Sequence, residues 1–209
     1  MPTLNAILLV AGSGLLFSLS PGPSMLYVVS RAISQGRAAG FASALGLALG
    51  GAALAVITAL GSGWLLTDRP TLFQAIKILG GLYLLYLGVR MLIDARSTRL
   101  GDVNDVEALP FTTILRQGFT VELLNPKTIL FFLAFLPGFV DPDRASVTTQ
   151  MLILGVLVPL TAIPSDLTVS AGGAWLADRV RERVSIGHLI EGIGAVVVLA
   201  LGIRTLMSV

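Results

Sequence analysis

The 209-residue chain has no cysteine and one histidine, His188. That excludes disulfides, thiol catalysis and thiolate metal sites, and it leaves too few soft ligands for a transition-metal centre. Charge is scarce as well. Only 12% of residues are Asp, Glu, Lys or Arg, about half the share found in soluble domains. Residues 1–30, 38–67 and 145–165 hold no charge at all. A helix needs about 20 apolar residues to cross the hydrocarbon core of a bilayer, so each of these stretches is long enough to span. The 14 basic residues, for a net charge of +2, are scattered over loops and not gathered on one face with aromatics, which excludes nucleic acid as a partner. No Lys or Arg precedes Arg31, and the rigid run Ser20-Pro21-Gly22-Pro23 stands where a small-residue cleavage site would be needed. The N-terminal segment is therefore expected to be a span and not a removable signal peptide.

What is present is apolar: 55% hydrophobic residues and a mean hydropathy of +0.88. The chain reads as an all-α integral membrane protein of six transmembrane helices, at about 4–29, 40–66, 72–93, 113–140, 147–176 and 187–207. Such a molecule is suited to carrying a small polar solute across a lipid bilayer. Arg31, Arg37, Arg90, Arg96, Arg99, Arg116, Arg179, Arg181 and Arg183 fall on one side, against Arg69, Arg144 and Arg204 on the other. The positive-inside rule then puts both termini outside the cytoplasm. Gly40, Gly46 and Gly50 in the second segment suit close packing of two helix backbones.

The polar stretch around Asp102, Asp105 and Glu107 divides one transporter domain, residues 1–209, into two halves. Repeat one covers about 1–94, a cytoplasmic loop about 95–112, and repeat two about 113–209. Gly80 is followed eight residues later by Gly88-Val89-Arg90-Met91-Leu92, and Gly194 eight residues later by Gly202-Ile203-Arg204-Thr205-Leu206. The first segment breaks at Ser20-Pro21 and the fourth at Asn125-Pro126. Three helices is an odd number, so two such repeats would be inverted in the membrane, a plan of secondary transporters that puts the substrate site at the repeat interface.

Proline inside a spanning helix frees the carbonyl four residues earlier. Pro21 and Pro23 would free those of Phe17 and Leu19, Pro126 that of Glu122 and Pro164 that of Leu160. Each restart is also a half-helix N-terminus, whose dipole suits an anion. Ser20, Pro21, Gly22, Pro23 and Ser24 fit that arrangement; the alternative is a kink that serves packing alone. Asp166, mid-way along the fifth segment, must face a partner or water, because a central acid costs about 2.5–3.5 kcal/mol on insertion scales. It is read either as a proton-coupling group or as the ion-pair partner of Lys127. On the fourth segment Glu122 and Asn125 share a helix face, while Lys127 points elsewhere unless the break at Pro126 turns it. Glu122 is a second candidate for proton coupling, or an interfacial residue. Lys77 is expected to snorkel towards the membrane surface. His188 and Glu191 read as an interfacial pair, and Trp64 and Trp175 as interface anchors.

Ser20-Pro21-Gly22-Pro23, with Gly36-Arg37, Gly40, Gly46 and Gly50 after it, resembles the N-terminal signature of the LysE/RhtB-type amino-acid exporters, a family of homoserine, threonine and lysine efflux proteins. Gly80-Gly81-Leu82-Tyr83-Leu84-Leu85-Tyr86-Leu87-Gly88 is similar to that family's third helix. Gly118-Phe119, Asn125-Pro126-Lys127-Thr128 and Phe135-Leu136-Pro137 are similar to its fourth, and Asp166 falls where its fifth carries an acid. Ser24 stands where the family usually has Asn, and Gly138 where it often has Gln. The resemblance implies export of amino acids from the bacterial cytoplasm by a proton antiporter, often dimeric, in the inner membrane, without cofactor or metal. On that reading the substrate carboxylate meets the half-helix N-terminus after Pro23, with Lys127. The ammonium group meets Asp166, Asn125 and the freed Phe17 carbonyl. Rivals within transport are another small metabolite, a lactone or a divalent cation; outside it stands a membrane assembly protein. An intramembrane hydrolase is excluded by the lack of a nucleophile paired with a base.

Overall fold

The computed structural model describes the backbone of residues 1–20, 22–67, 70–94, 109–182 and 184–207. Side chains are described there except at 62–67, 70, 73, 87, 90, 91, 94, 173–182, 184–194 and 197. Helix α1 (Leu4–Leu19) starts on Thr3, whose hydroxyl accepts the Ala6 N–H at 3.1 Å, one of the free donors that every helix start leaves. It ends in Ser20, which is extended. Helix α2 (Pro23–Gln35) restarts with proline at its first position, where the missing N–H leaves nothing unpaired. The two axes differ by 53°. Gly36, at φ +81°, turns the chain from α2 into α3 (Arg37–Thr67), a backbone conformation that glycine adopts without steric cost. Helix α4 spans Pro70–Asp94.

The second half opens in the same way. Helix α5 (Phe111–Leu123) gives way to α6 (Pro126–Leu130) across a 44° bend. Asn125 caps α6: its Oδ1 accepts the Lys127 N–H at 3.0 Å, with Pro126 again first in the helix. The chain continues through a π turn (Phe131–Phe135) and a 3-10 turn (Leu136–Phe139). Helices α7 (Val147–Glu182) and α8 (Val184–Met207) follow.

Among the described residues there is no strand, and α3 and α7 are long and apolar enough to cross a membrane; counting each bent pair as one span raises the number to four. The other two expected segments fall on α4, of 25 residues, and α8, of 24. Leu60 is 70% exposed and Leu79 66%, with Leu8 and Leu160 also outward; such faces suit lipid and not water. α7 runs unbroken through both Pro159 and Pro164, as membrane helices do when packed neighbours hold them, here chiefly α1 and α3.

Glycines set the helix directions. A Cβ on Gly46 would stand 2.2 Å from the Leu115 carbonyl oxygen, and one on Gly50 2.6 Å from that of Phe119. The α3 glycines thus lie against α5, and the paired numbers rise together, so α3 and α5 are parallel. Gly14 meets Val158 and Thr161, and Ser18 meets Ser165, so α1 and α7 are parallel as well. The contacts of Gly40 with Ser170 and Gly155 with Ala55 run the opposite way, which makes α3 and α7 antiparallel. Gly81 with Gly202 and Gly88 with Ala195 make α4 and α8 antiparallel. The core between these pairs is built on Phe131, Phe132, Phe135 and Leu136, fully or almost fully buried against Val10, Leu54, Met151 and Leu154.

Candidate functional site

A cavity of about 60 Å³ lies where the two broken helices meet, room for a few waters. Phe17, Leu47, Phe132 and Val158 supply apolar wall; Lys127, Glu122 and Asp166 bring one ammonium and two carboxylates. Gly22 at the first break and Gly51 of α3 open the space between them.

The breaks are tied to each other by side chains from both. Lys127, the second residue of α6, is buried, and its Nζ donates to the carbonyl oxygens of Phe17 at 3.1 Å and Ser20 at 2.9 Å. It also lies 4.2 Å over the Phe17 ring centroid. The end of α1 therefore forms a cradle of two carbonyls and a π face, each of which can hold an ammonium group. In return Asn125 Nδ2 donates to Ser24 Oγ at 2.8 Å, and Ser24 Oγ donates to Glu122 Oε2. Thr128 Oγ1 donates to Glu122 Oε1 at 3.0 Å. Glu122 is thus an acceptor inside the cavity. Gly22 lies beside the lysine: a Cβ there would meet Lys127 Cδ at 3.4 Å and Nζ at 3.5 Å, ordinary contact distances.

Asp166 reaches the cavity from α7. The turn that carries it is held to α1 by the hydroxyls of Ser18 and Ser165, 3.0 Å apart. No ion pair joins Asp166 to Lys127 among the described residues, because the lysine is engaged at the first break. Two groups assigned to the substrate ammonium, the Phe17 carbonyl and Asn125, are likewise occupied from within the protein. At the start of α2 no side chain caps the helix, so its first N–H groups stay open to an anion.

Ser20, Gly22, Ser24, Glu122, Asn125, Lys127 and Asp166 all line this one cavity, and Pro23 and Pro126 begin the half-helices beside it. Pro21 lies outside the described residues, as do the side chains of Trp64, Trp175, His188 and Glu191 and the acidic stretch around Asp102. Lys77 does not snorkel: it is buried in the fold, held there by the close pairing of α4 with α8 and with the π turn.

Sequence reasoning missed the Ser20 carbonyl and Thr128. It also missed a second clamp one turn from Ser24, in which Tyr27 donates to the Ile114 carbonyl at 2.8 Å and Arg31 Nη2 to Gln117 Oε1 at 2.9 Å. The carbonyl had a signal, since an interruption strands more than one acceptor. The clamp had none, because it depends on which helix faces α2.

An uncharacterised membrane protein of Pseudomonas aeruginosa is 37% identical over 187 residues, 86% of this chain and 85% of its own length. The leucine efflux protein of an Enterobacter species is 31% identical over 175 residues, 84% of this chain and 82% of its own. That of Klebsiella pneumoniae is 30% identical over 171 residues, 82% and 80% respectively. No solved structure matches. Residues 15–208 match the family described as LysE type translocators, and the chain therefore belongs to that family.

Proposed function

We propose that the protein is a secondary exporter of amino acids across the bacterial inner membrane, working as a proton antiporter. The carrying observation is the cavity between two proline-broken helices, with an uncapped half-helix start, an ammonium cradle and two carboxylates around it. A free amino acid needs these three recognition elements: donors for its carboxylate, acceptors for its ammonium group and a wall for its side chain. Phe17, Leu47, Phe132 and Val158 make that wall apolar, and relatives named as leucine efflux proteins point the same way. Leucine and similar aliphatic amino acids are the preferred cargo on this reading.

The substrate carboxylate meets the N–H groups at the start of α2, and Asp166 exchanges the proton, with Glu122 as its neighbour. The helix directions support two inverted repeats, about 1–94 and 113–209, on either side of a cytoplasmic loop in one domain. α1 runs with α7 and α5 with α3, while α3 opposes α7 and α4 opposes α8. The paired contacts of Gly81 with Gly202 and Gly88 with Ala195 interchange when 114 is added to the first-half numbers, the same offset that aligns Gly80 with Gly194 and Gly88 with Gly202. Both termini face the periplasm, and two copies pair as a homodimer.

Counterflow into proteoliposomes tests the reading. With unlabelled leucine inside, labelled leucine should accumulate transiently, and a screen of the twenty amino acids and homoserine should rank aliphatic ones first. Absence of counterflow for every one of them would overturn the proposal.

A further inference from the structure

Lys127 is the one group in the cavity that already has the chemistry of half the cargo. Its Nζ is an alkylammonium, and so is the α-ammonium group of an amino acid. It is seated on the Phe17 and Ser20 carbonyls at 3.1 and 2.9 Å and faces the Phe17 ring at 4.2 Å. Two hydrogen bonds and one π face use the three N–H bonds of an ammonium group, and a second ammonium group seated there would stand at contact distance from the first and be repelled by it. The carboxylates that would ordinarily attract a lysine, Glu122 and Asp166, line the same cavity, yet no ion pair joins Lys127 to either among the described residues. Glu122 is instead satisfied by Ser24 and Thr128.

From this geometry we infer that Lys127 is a tethered stand-in for the substrate's ammonium group, which holds the cradle while the carrier is empty and gives it up when cargo binds. The inference rests on the amino-acid export reading. It goes further by naming the competing group and the cargo class, which must carry a primary ammonium.

A carrier must cross back empty after releasing its cargo, and the Phe17 and Ser20 carbonyls at the break would then lose their cationic donor in an apolar setting, the Phe17 oxygen keeping the Ser20 N–H at 3.2 Å. Lys127 covers them during that step. When a substrate ammonium takes its place, the flexible side chain has somewhere to go: Glu122 and Asp166 offer acceptors across the cavity that it already lines. Two ammonium groups contending for one cradle are coupled negatively, and such couplings amount to about 5–150-fold in affinity.

The test compares two transport modes in proteoliposomes, for the parent and for Lys127→Met. Counterflow of labelled leucine never requires an empty crossing; net downhill efflux requires one every cycle. In Lys127→Met, the ratio of net efflux to counterflow should fall about tenfold or more relative to the parent. External methylammonium, small enough to occupy the vacated cradle, should restore net efflux in the variant and leave the parent unchanged. The carboxylate-free amine 3-methylbutylamine should inhibit counterflow at lower concentration in the variant than in the parent. Equal loss of efflux and counterflow, or no rescue by methylammonium, would overturn the inference while parental counterflow leaves the export reading standing. Failure of the parent to exchange any amino acid would take both away. Should Lys127→Met not reach the membrane, Gly22→Ile keeps the lysine but crowds it off the cradle, and the same split between efflux and counterflow is expected. Parental efflux in that variant would likewise overturn the inference.

Discussion

Replacing Gly46 with Ala tests how closely the site depends on one helix crossing. The added Cβ would stand 2.2 Å from the Leu115 oxygen, 3.0 Å from the Phe119 nitrogen and 3.1 Å from the Gly118 Cα. All three are backbone atoms of α5, so no side chain can swing aside. Non-bonded atoms settle at about 3.5 Å, which requires α3 and α5 to part by roughly 1 Å. Overpacking of this kind costs about 1–3 kcal/mol. The consequence for transport is larger, because α5 carries Glu122 at its far end, and a Cβ added to Gly50, one turn on in α3, would stand 2.9 Å from the Glu122 Cβ, so the helices are close there as well. Misplacing a functional group by about 1 Å costs on the order of 100-fold in rate. Leucine counterflow by Gly46→Ala should therefore drop on the order of 10–100-fold, with a lower thermal midpoint in detergent. Gly12→Ala and Gly138→Ala are the controls, since an added Cβ meets no atom within 4 Å at either, and both should behave as the parent. Parental transport and an unchanged midpoint in Gly46→Ala would refute the argument that these backbones are in contact.

Asn125→Ala removes the cap of α6 and the bond to Ser24 together, and should lower stability by about 0.5–2 kcal/mol. Asn125→Asp keeps the capping oxygen but not the Nδ2 donor, so detergent melting should recover while counterflow stays depressed; equal recovery of both would count against the Ser24 link. Asp166→Asn cannot titrate, and is expected to keep counterflow, which needs no net proton movement, while losing export driven by a pH gradient. Gradient-driven export at the parental rate would remove Asp166 from coupling. Tags at Met1 and Val209 should both react with an impermeant label in intact cells, and shielding of either one would break the inverted-repeat reading.

The positions of the breaks could be read from the sequence because their causes are local: proline lacks a donor wherever it stands, and Pro23 and Pro126 each open a half-helix. The spans could be read because charge is absent from them, although α3 and α7 alone meet the length and hydropathy expected of an unbroken span among the described residues. The α3 glycines announced a close crossing, but spacing along one helix carries no address, and their partner turned out to be α5 for Gly46 and Gly50 and α7 for Gly40. Lys77 was misread for a related reason. Snorkelling is the default for a lysine on a helix facing lipid, whereas Lys77 is buried in the fold.

Lys127 shows where the arithmetic of a helix ends. Counted as one continuous helix, residues 122 and 125 share a face and 127 points away from them. Pro126 resets that count: Asn125 becomes a cap, Lys127 the second residue of a new helix, and the direction of its side chain is set by the new axis. Asn before Pro is itself a helix-start signal, so the reset was available from sequence even though the destination was not. That destination, the Phe17 and Ser20 carbonyls, exists only because the other half of the chain is interrupted at the corresponding place. A single proline break would leave acceptors stranded, and a single lysine would leave a charge stranded. The molecule brings the two deficits together, so each break supplies what the other lacks, and the resulting contact must be undone whenever a substrate ammonium takes the lysine's place.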